Sequence, residues 1–180
     1  NFGSADLISD AAANNLSDKL ALANTYFEQG KQSFQDRHYS IAIEHLQNSI
    51  AEFEALESGI ETAIQLELSD AKKGIDAALH QFTNSVKNKN LQDLANVFQD
   101  FSEQRRTFWK QAFDMMKNLK VELAIADQEY NAELATLKLT ATFYYYDGKK
   151  DIKDVFHYWW ELRPTGKNWQ ITDFESRKIK

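Results

Sequence analysis

Residues 157–174, HYWWELRPTGKNWQITDF, decide how this chain folds. Alternate residues of a strand share a face, and the stretch alternates on both sides of a turn. Phe156, Tyr158, Trp160 and Leu162 fall on one face, and Trp169 and Ile171 lie beyond the turn. Between them, Arg163-Pro164-Thr165-Gly166-Lys167-Asn168 carries the turn chemistry: Pro164 sets φ, and Gly166 tolerates a positive one. The spacing predicts that Leu162 faces Trp169, Trp160 faces Ile171 and Tyr158 faces Asp173. Each such pair contributes roughly 0.2–1 kcal/mol beyond burial, whereas burying one large apolar side chain contributes roughly 1.5–3 kcal/mol. Burial dominates, so this face is expected to be core. Asp173 is its one acid, placed either where the strand meets water or against a polar partner. The other face carries Val155, His157, Trp159 and Glu161.

Working backwards, Asp147-Gly148-Lys149-Lys150 is a turn, and residues 137–146 alternate as a strand. Asp127 to Asn131 reads as a further turn, preceded by a strand from Leu119 to Ile125. Four antiparallel strands in sequence are therefore expected. Upstream, Ser102 and Glu103 start a helix through Trp109, Phe113 and Met116, and Leu91 to Phe98 form a shorter one after an Asn88-Lys89-Asn90 turn. Ile64, Leu68, Ala71, Ile75, Ala78, Leu79, Phe82 and Val86 keep helical spacing without proline. They predict one long helix from about Glu61 to Lys87. Gly74 is its weak point, at a cost of about 1 kcal/mol relative to alanine.

Nearer the start, Leu22, Tyr26, Phe27, Gly30 and Phe34 recur at helical spacing, Asp36-Arg37-His38 interrupts, and Tyr39, Ala42, Ile43, Leu46, Ile50 and Phe53 resume. This is a helical hairpin with the small residues Gly30 and Ala42 at its crossing. Residues 1–16 are small and polar, and are expected to be a mobile leader. The domain reading is thus a leader over 1–16, a hairpin over 17–60 and an α+β domain over 61–180.

Composition bounds the function. The chain has 180 residues, a net charge of −6, 43 % hydrophobic and 27 % charged residues, which is ordinary for a globular protein. The negative charge argues against non-specific nucleic-acid binding, and no apolar run approaches the roughly 20 residues of a membrane span. Without cysteine, disulfides, thiol catalysis and cysteine-bound zinc are excluded. The chain does not begin with methionine, so an upstream tether or further domain is expected; the compartment is left open. No phosphate loop or nucleophile elbow appears, the histidines flank no acid cluster at metal spacing, and no cofactor is expected.

Two resemblances follow from these residues. Tyr26, Gly30, Phe34, Tyr39, Ala42-Ile43, Leu46 and Ser49-Ile50 resemble a tetratricopeptide repeat, with Glu57-Ser58-Gly59 where that repeat has its proline. Only one copy is present, whereas stacked repeats need about three. The helix–helix–helix–meander order over about residues 67–177 resembles the nuclear-transport-factor-2-like, cone-shaped fold. Its most specific matches are Trp160-Glu161-Leu162-Arg163, Gly166 and Trp169-Gln170-Ile171, with Phe82 to Phe98 in support. That resemblance implies either an enzyme with polar groups inside the cone or a non-catalytic binding module. Candidate pocket residues are Tyr145, Tyr158 and Asp173, with Trp109 and Trp160 as walls; the spacing makes Tyr158 and Asp173 a possible acid/base pair.

Ten of the 23 aromatic residues fall between Phe143 and Phe174, more than one core face needs. Tyr144, Tyr146, His157 and Trp159 are therefore expected on an outer face that associates with a protein partner or a second copy. The function expected on balance is a non-catalytic interaction or assembly module, an accessory region of a larger or membrane-tethered bacterial protein. The alternative is a small-molecule-binding or isomerase/dehydratase-type enzyme using the cone pocket.

Overall fold

A computed structural model describes residues 10–166 and 168–179. The chain divides into two compact units, with the boundary between Glu67 and Leu68.

The first unit is a helical hairpin. Helix α1 spans Asp10–Gln35, and α2 begins at Tyr39 and runs to Lys87. Ala23, Gly30, Ala42 and Ser49 form its buried seam. A Cβ on Gly30 would stand 2.8 Å from Leu46 Cγ, so the small residue lets α1 and α2 close up. Ser49 donates a hydrogen bond across the seam to the Ala23 carbonyl at 2.9 Å. Two expectations change here. Residues 10–16, read as leader, are helical: alanines 11–13 favour helix, and Leu16 reaches Gly59 of α2. The first nine residues of that leader lie outside the described residues. The separate helix expected from about Glu61 is also absent as such, because α2 runs unbroken through Glu57-Ser58-Gly59. Ser58 and Gly59 weaken a helix but do not block it as proline does.

The second unit is α+β, as expected: helices laid on a four-stranded antiparallel meander of order β1-β2-β3-β4. The remainder of α2 supplies Ala71, Ile75, Ala78, Phe82 and Val86 to the core. Helix α3 (Leu91–Asn96) is capped by Asn90, whose side chain accepts from the backbone N–H groups of Gln92 and Asp93. Ser102 caps α4 (Glu103–Met115) in the same way. The strands are β1 (Lys117–Tyr130), β2 (Ala135–Tyr146), β3 (Asp151–Thr165) and β4 (Asn168–Ile179). β1 continues to Tyr130 through most of the expected turn at Asp127 to Asn131, and the chain reverses over residues 131–134 instead. Phe82 is the hub of the core, with ring centroids 4.9 Å from Trp160, 6.0 Å from Trp109 and 6.5 Å from Tyr158.

The deciding hairpin keeps its faces as far as Ile171 and changes its register. The strands run on to a Thr165–Asn168 pair, with Gly166 at φ 63° in the turn. Leu162 therefore faces Ile171, and Pro164 faces Trp169. A bulge follows. Leu162 pairs with Ile171 but Glu161 pairs with Asp173, which leaves Thr172 as the extra residue. From there the alternation of β4 reverses, so that Phe174 stands opposite Trp160 and Ser176 opposite Tyr158. The connection between α3 and α4 is tied to the same strand: Ile171 N–H donates to the Val97 carbonyl at 2.8 Å, and Gln99 N–H to the Ile171 carbonyl at 2.9 Å.

Candidate functional site

The inner face of the sheet and the side of α4 enclose a cavity of about 370 Å³ in the second unit. Trp109 and Ala112 of α4, Phe143 of β2, Phe156 and Tyr158 of β3 and Phe174 of β4 form its apolar wall. Phe108, which is 60 % exposed, stands on the same lining. The polar groups are Ser102, Gln104, Arg105, Tyr158 and Ser176. Arg105 is held in place: its guanidinium lies 4.6 Å from the Phe98 ring centre and donates to the Asp100 carbonyl at 2.8 Å.

Tyr158 is the deepest polar group of the lining, at 6 % exposure. Burial alone pushes its hydroxyl above the usual phenol range. It therefore stays protonated at neutral pH and can donate a hydrogen bond or a proton. Arg105, a permanent cation, is the only other ionisable group of this lining.

The pocket residues expected from sequence separate into three groups. Trp109 and Tyr158 line the cavity. Trp160 is fully buried behind it, and among the described residues its Nε1 finds no hydrogen-bond partner. Tyr145 lies outside the lining and donates to Asp154 Oδ2 at 3.0 Å. Asp173 is not a pocket residue. The bulge at Thr172 turns it outward, where it is exposed, pairs with Glu161 and accepts from the Phe174 N–H at 2.7 Å. The expected Tyr158–Asp173 pair does not form.

Another carboxylate takes the position beside the inner face. Asp154 is directly across from Phe143 and two residues before Phe156, both of which line the cavity. Its side chain is 16 % exposed, and Lys178 Nζ lies 2.7 Å from Oδ1. The signal was in the sequence: Asp154 is in phase with Phe156, Tyr158 and Trp160. Phe174 carried no such signal, because only the bulge brings it inward. Tyr144, Tyr146, His157 and Trp159 share the outer face of the sheet through the pairs Tyr144–Lys153, Tyr146–Asp151, Thr140–His157 and Lys138–Trp159. His157 and Trp159 also border a shallow groove there with Glu175 and Arg177. Among the described residues no cluster of three or more His, Asp or Glu is placed to hold a metal ion, and no helix is long and apolar enough to cross a membrane.

No family model matches the chain, and no curated protein matches it in sequence. Solved structures do match. A nuclear-transport-factor-2-like protein with a cystatin-like fold from Novosphingobium aromaticivorans aligns at TM-score 0.57 and 12 % identity, over 66 % of this chain and 88 % of that one. Hexachlorocyclohexane dehydrochlorinase LinA-type3 from Novosphingobium barchaimii aligns at TM-score 0.56 and 11 % identity, over 64 % and 91 %. A candidate scytalone dehydratase from Novosphingobium aromaticivorans aligns at TM-score 0.53 and 10 % identity, over 64 % and 89 %. The fold is therefore nuclear-transport-factor-2-like. The expectation of a non-catalytic module, with enzymatic activity discounted, is corrected by these neighbours: the structures sharing the fold include a dehydrochlorinase and a candidate dehydratase.

Proposed function

We propose that the second unit is a small-molecule enzyme of the dehydratase or isomerase kind. Its cavity takes a largely apolar substrate, and Tyr158 donates a hydrogen bond to a substrate oxygen. The observation that carries this reading is the protonated hydroxyl of the buried Tyr158 on an otherwise apolar wall. In an elimination or enolisation, negative charge builds on an oxygen, and a donor already aimed at it in a dry site stabilises that charge. Asp154, opposite Phe143 and bound by Tyr145 and Lys178, is the carboxylate of this reading that receives the proton leaving carbon. The freed electron pair forms the enolate that Tyr158 holds. As the carbon–carbon double bond forms, the hydroxyl on the next carbon departs, taking that proton back to leave as water. The names of the neighbouring structures support the reaction class.

The test is fluorescence titration with 2-acetylnaphthalene, which carries a carbonyl acceptor, and naphthalene, which does not. Trp109 reports binding. The acceptor-bearing probe is expected to bind the more tightly, with the preference falling about 5- to 30-fold in Tyr158→Phe. Dehydration of a β-hydroxy ketone, read as enone absorbance, is expected to be lost in Asp154→Asn while probe binding persists. Failure of both probes to bind would sink the proposal.

A second role is self-association through the outer sheet face, supported by Trp159, whose indole is 37 % exposed beside His157. Sedimentation of the unsubstituted chain against Trp159→Glu tests it; a monomer in both cases rejects it. We also read the hairpin as tetratricopeptide-like, on the packing of Gly30 and Ala42 at its crossing.

A further inference from the structure

The helical unit carries an apolar surface that its own two helices leave uncovered. On α1, Leu20, Phe27 and Phe34 recur every seven residues and are 43, 46 and 61 % exposed. A seven-residue repeat returns to nearly the same helix face. On α2, Tyr39, Ile43, Ile50 and Phe53 are 53, 57, 58 and 40 % exposed and follow at helical spacings. Ile60 and Ile64 extend that stripe.

These are not the residues that hold the hairpin together, which are Ala23, Gly30, Ala42 and Ser49. In each helix the stripe is rotated from the packed positions in the same sense, by roughly 50° in α1 and by roughly 20–100° in α2. In an antiparallel pair, rotation in the same sense points both stripes to one side. Phe34 and Tyr39 confirm it: their rings meet edge to face at 5.6 Å and join the two stripes at the turn. Leu22, Ile41 and Leu66 lie on the opposite flank.

The uncovered face is large and its border is acidic. At roughly 150–250 Å² for a fully exposed large side chain, its members present on the order of 800–1,000 Å², the size of one side of a standard interface. Glu28, Asp36, Glu54, Glu57 and Glu61 lie on or beside the stripes and are all exposed. The basic residues beside them are Lys31, which Glu28 already holds at 3.1 Å, and Arg37 next to Asp36 in the turn. Residues 10–67 carry ten acidic and three basic side chains. A second copy would set one acidic border against another.

We infer that this face docks an amphipathic helix of a partner protein, apolar on one side and flanked by lysine or arginine. The apolar stripe supplies the contact area, and the acidic border selects the basic partner. Leu20 to Phe34 spans about 21 Å of helix at about 1.5 Å per residue, so the partner helix needs about four turns.

The test uses the full chain and a labelled peptide of about 18 residues, built of leucine, alanine and lysine as an amphipathic helix, with a glutamate-for-lysine version as control. The lysine peptide is expected to bind, to weaken with added salt, and to bind about tenfold or more weakly to Phe27→Glu and Ile50→Glu. The glutamate peptide is expected not to bind. Both substituted positions are exposed, so circular dichroism and melting are expected to match the unsubstituted chain. No binding by the lysine peptide, equal binding of the two peptides, or full affinity in both variants overturns the inference. So does a sedimenting dimer that the same substitutions dissolve, which would assign the face to a second copy.

Discussion

The indole of Trp169 occupies the space in which a side chain on Gly74 would begin. The glycine looked like a flaw in a long helix; it is where β4 presses onto α2. Alanine at an ordinary helix position gains about 1 kcal/mol over glycine. Here the added methyl must displace an indole that is 8 % exposed, and overpacking costs about 1–3 kcal/mol. Gly74→Ala is therefore expected to lower the melting temperature. In Gly74→Ala/Trp169→Leu the loss is expected to be smaller than the sum of the two single losses, as a double-mutant cycle would register.

Tyr158 predicts alkaline sensitivity. Its pKa is raised by burial above the unfolded value of about 10. Below that value both states hold the proton and stability is flat. Above it the unfolded chain gives up its proton first, so stability falls as pH rises toward the folded pKa. Thermal melts from pH 8 to pH 11.5 are expected to decline less steeply above about pH 10 in Tyr158→Phe than in the unsubstituted chain. Equal slopes would remove Tyr158 as the cause.

Tyr145 is raised as well, first by burial and then by its bond to the Asp154 carboxylate. Asp154→Asn is expected to lower the Tyr145 titration part of the way, since burial persists, in a spectrophotometric titration of tyrosinate. The stability cost is expected to be modest, about 1–2 kcal/mol: Lys178 is 55 % exposed and screened by water, and the Tyr145 bond carries most of it.

Ser49 is 2 % exposed and spans the hairpin seam through the Ala23 carbonyl. Ser49→Ala is expected to cost about 1 kcal/mol, read as a shift in urea midpoint. An unchanged midpoint would mean that close packing alone holds the seam.

The strands and their faces were legible because period-two alternation is local. Asp154 could have been found the same way, from its phase with Phe156 and Tyr158. Register was less legible, because it depends on turn length, and a strand with Pro164 near its end looked like a longer turn. The error at Asp173 was of another kind. No residue type announces a bulge, and Thr172 is an unremarkable strand residue. The helix start expected near Glu61 was too late, because Ser58 and Gly59 weaken a helix without ending it and Ile60 and Ile64 continue the spacing beyond them. The open cavity was not legible at all, since whether aromatic side chains plug a cone or line it is settled by packing between elements distant in sequence.

Thr172 has one more consequence. It works as a phase shifter in the chain: every side chain after it points the opposite way from what simple counting gives. Removing that single residue would leave Ile171, Asp173 and Phe174 pairing in unbroken succession with Leu162, Glu161 and Trp160, so Phe174 would still face the aromatic floor and Asp173 the water. A one-codon deletion there would smooth the strand and leave its tail facing as it does now.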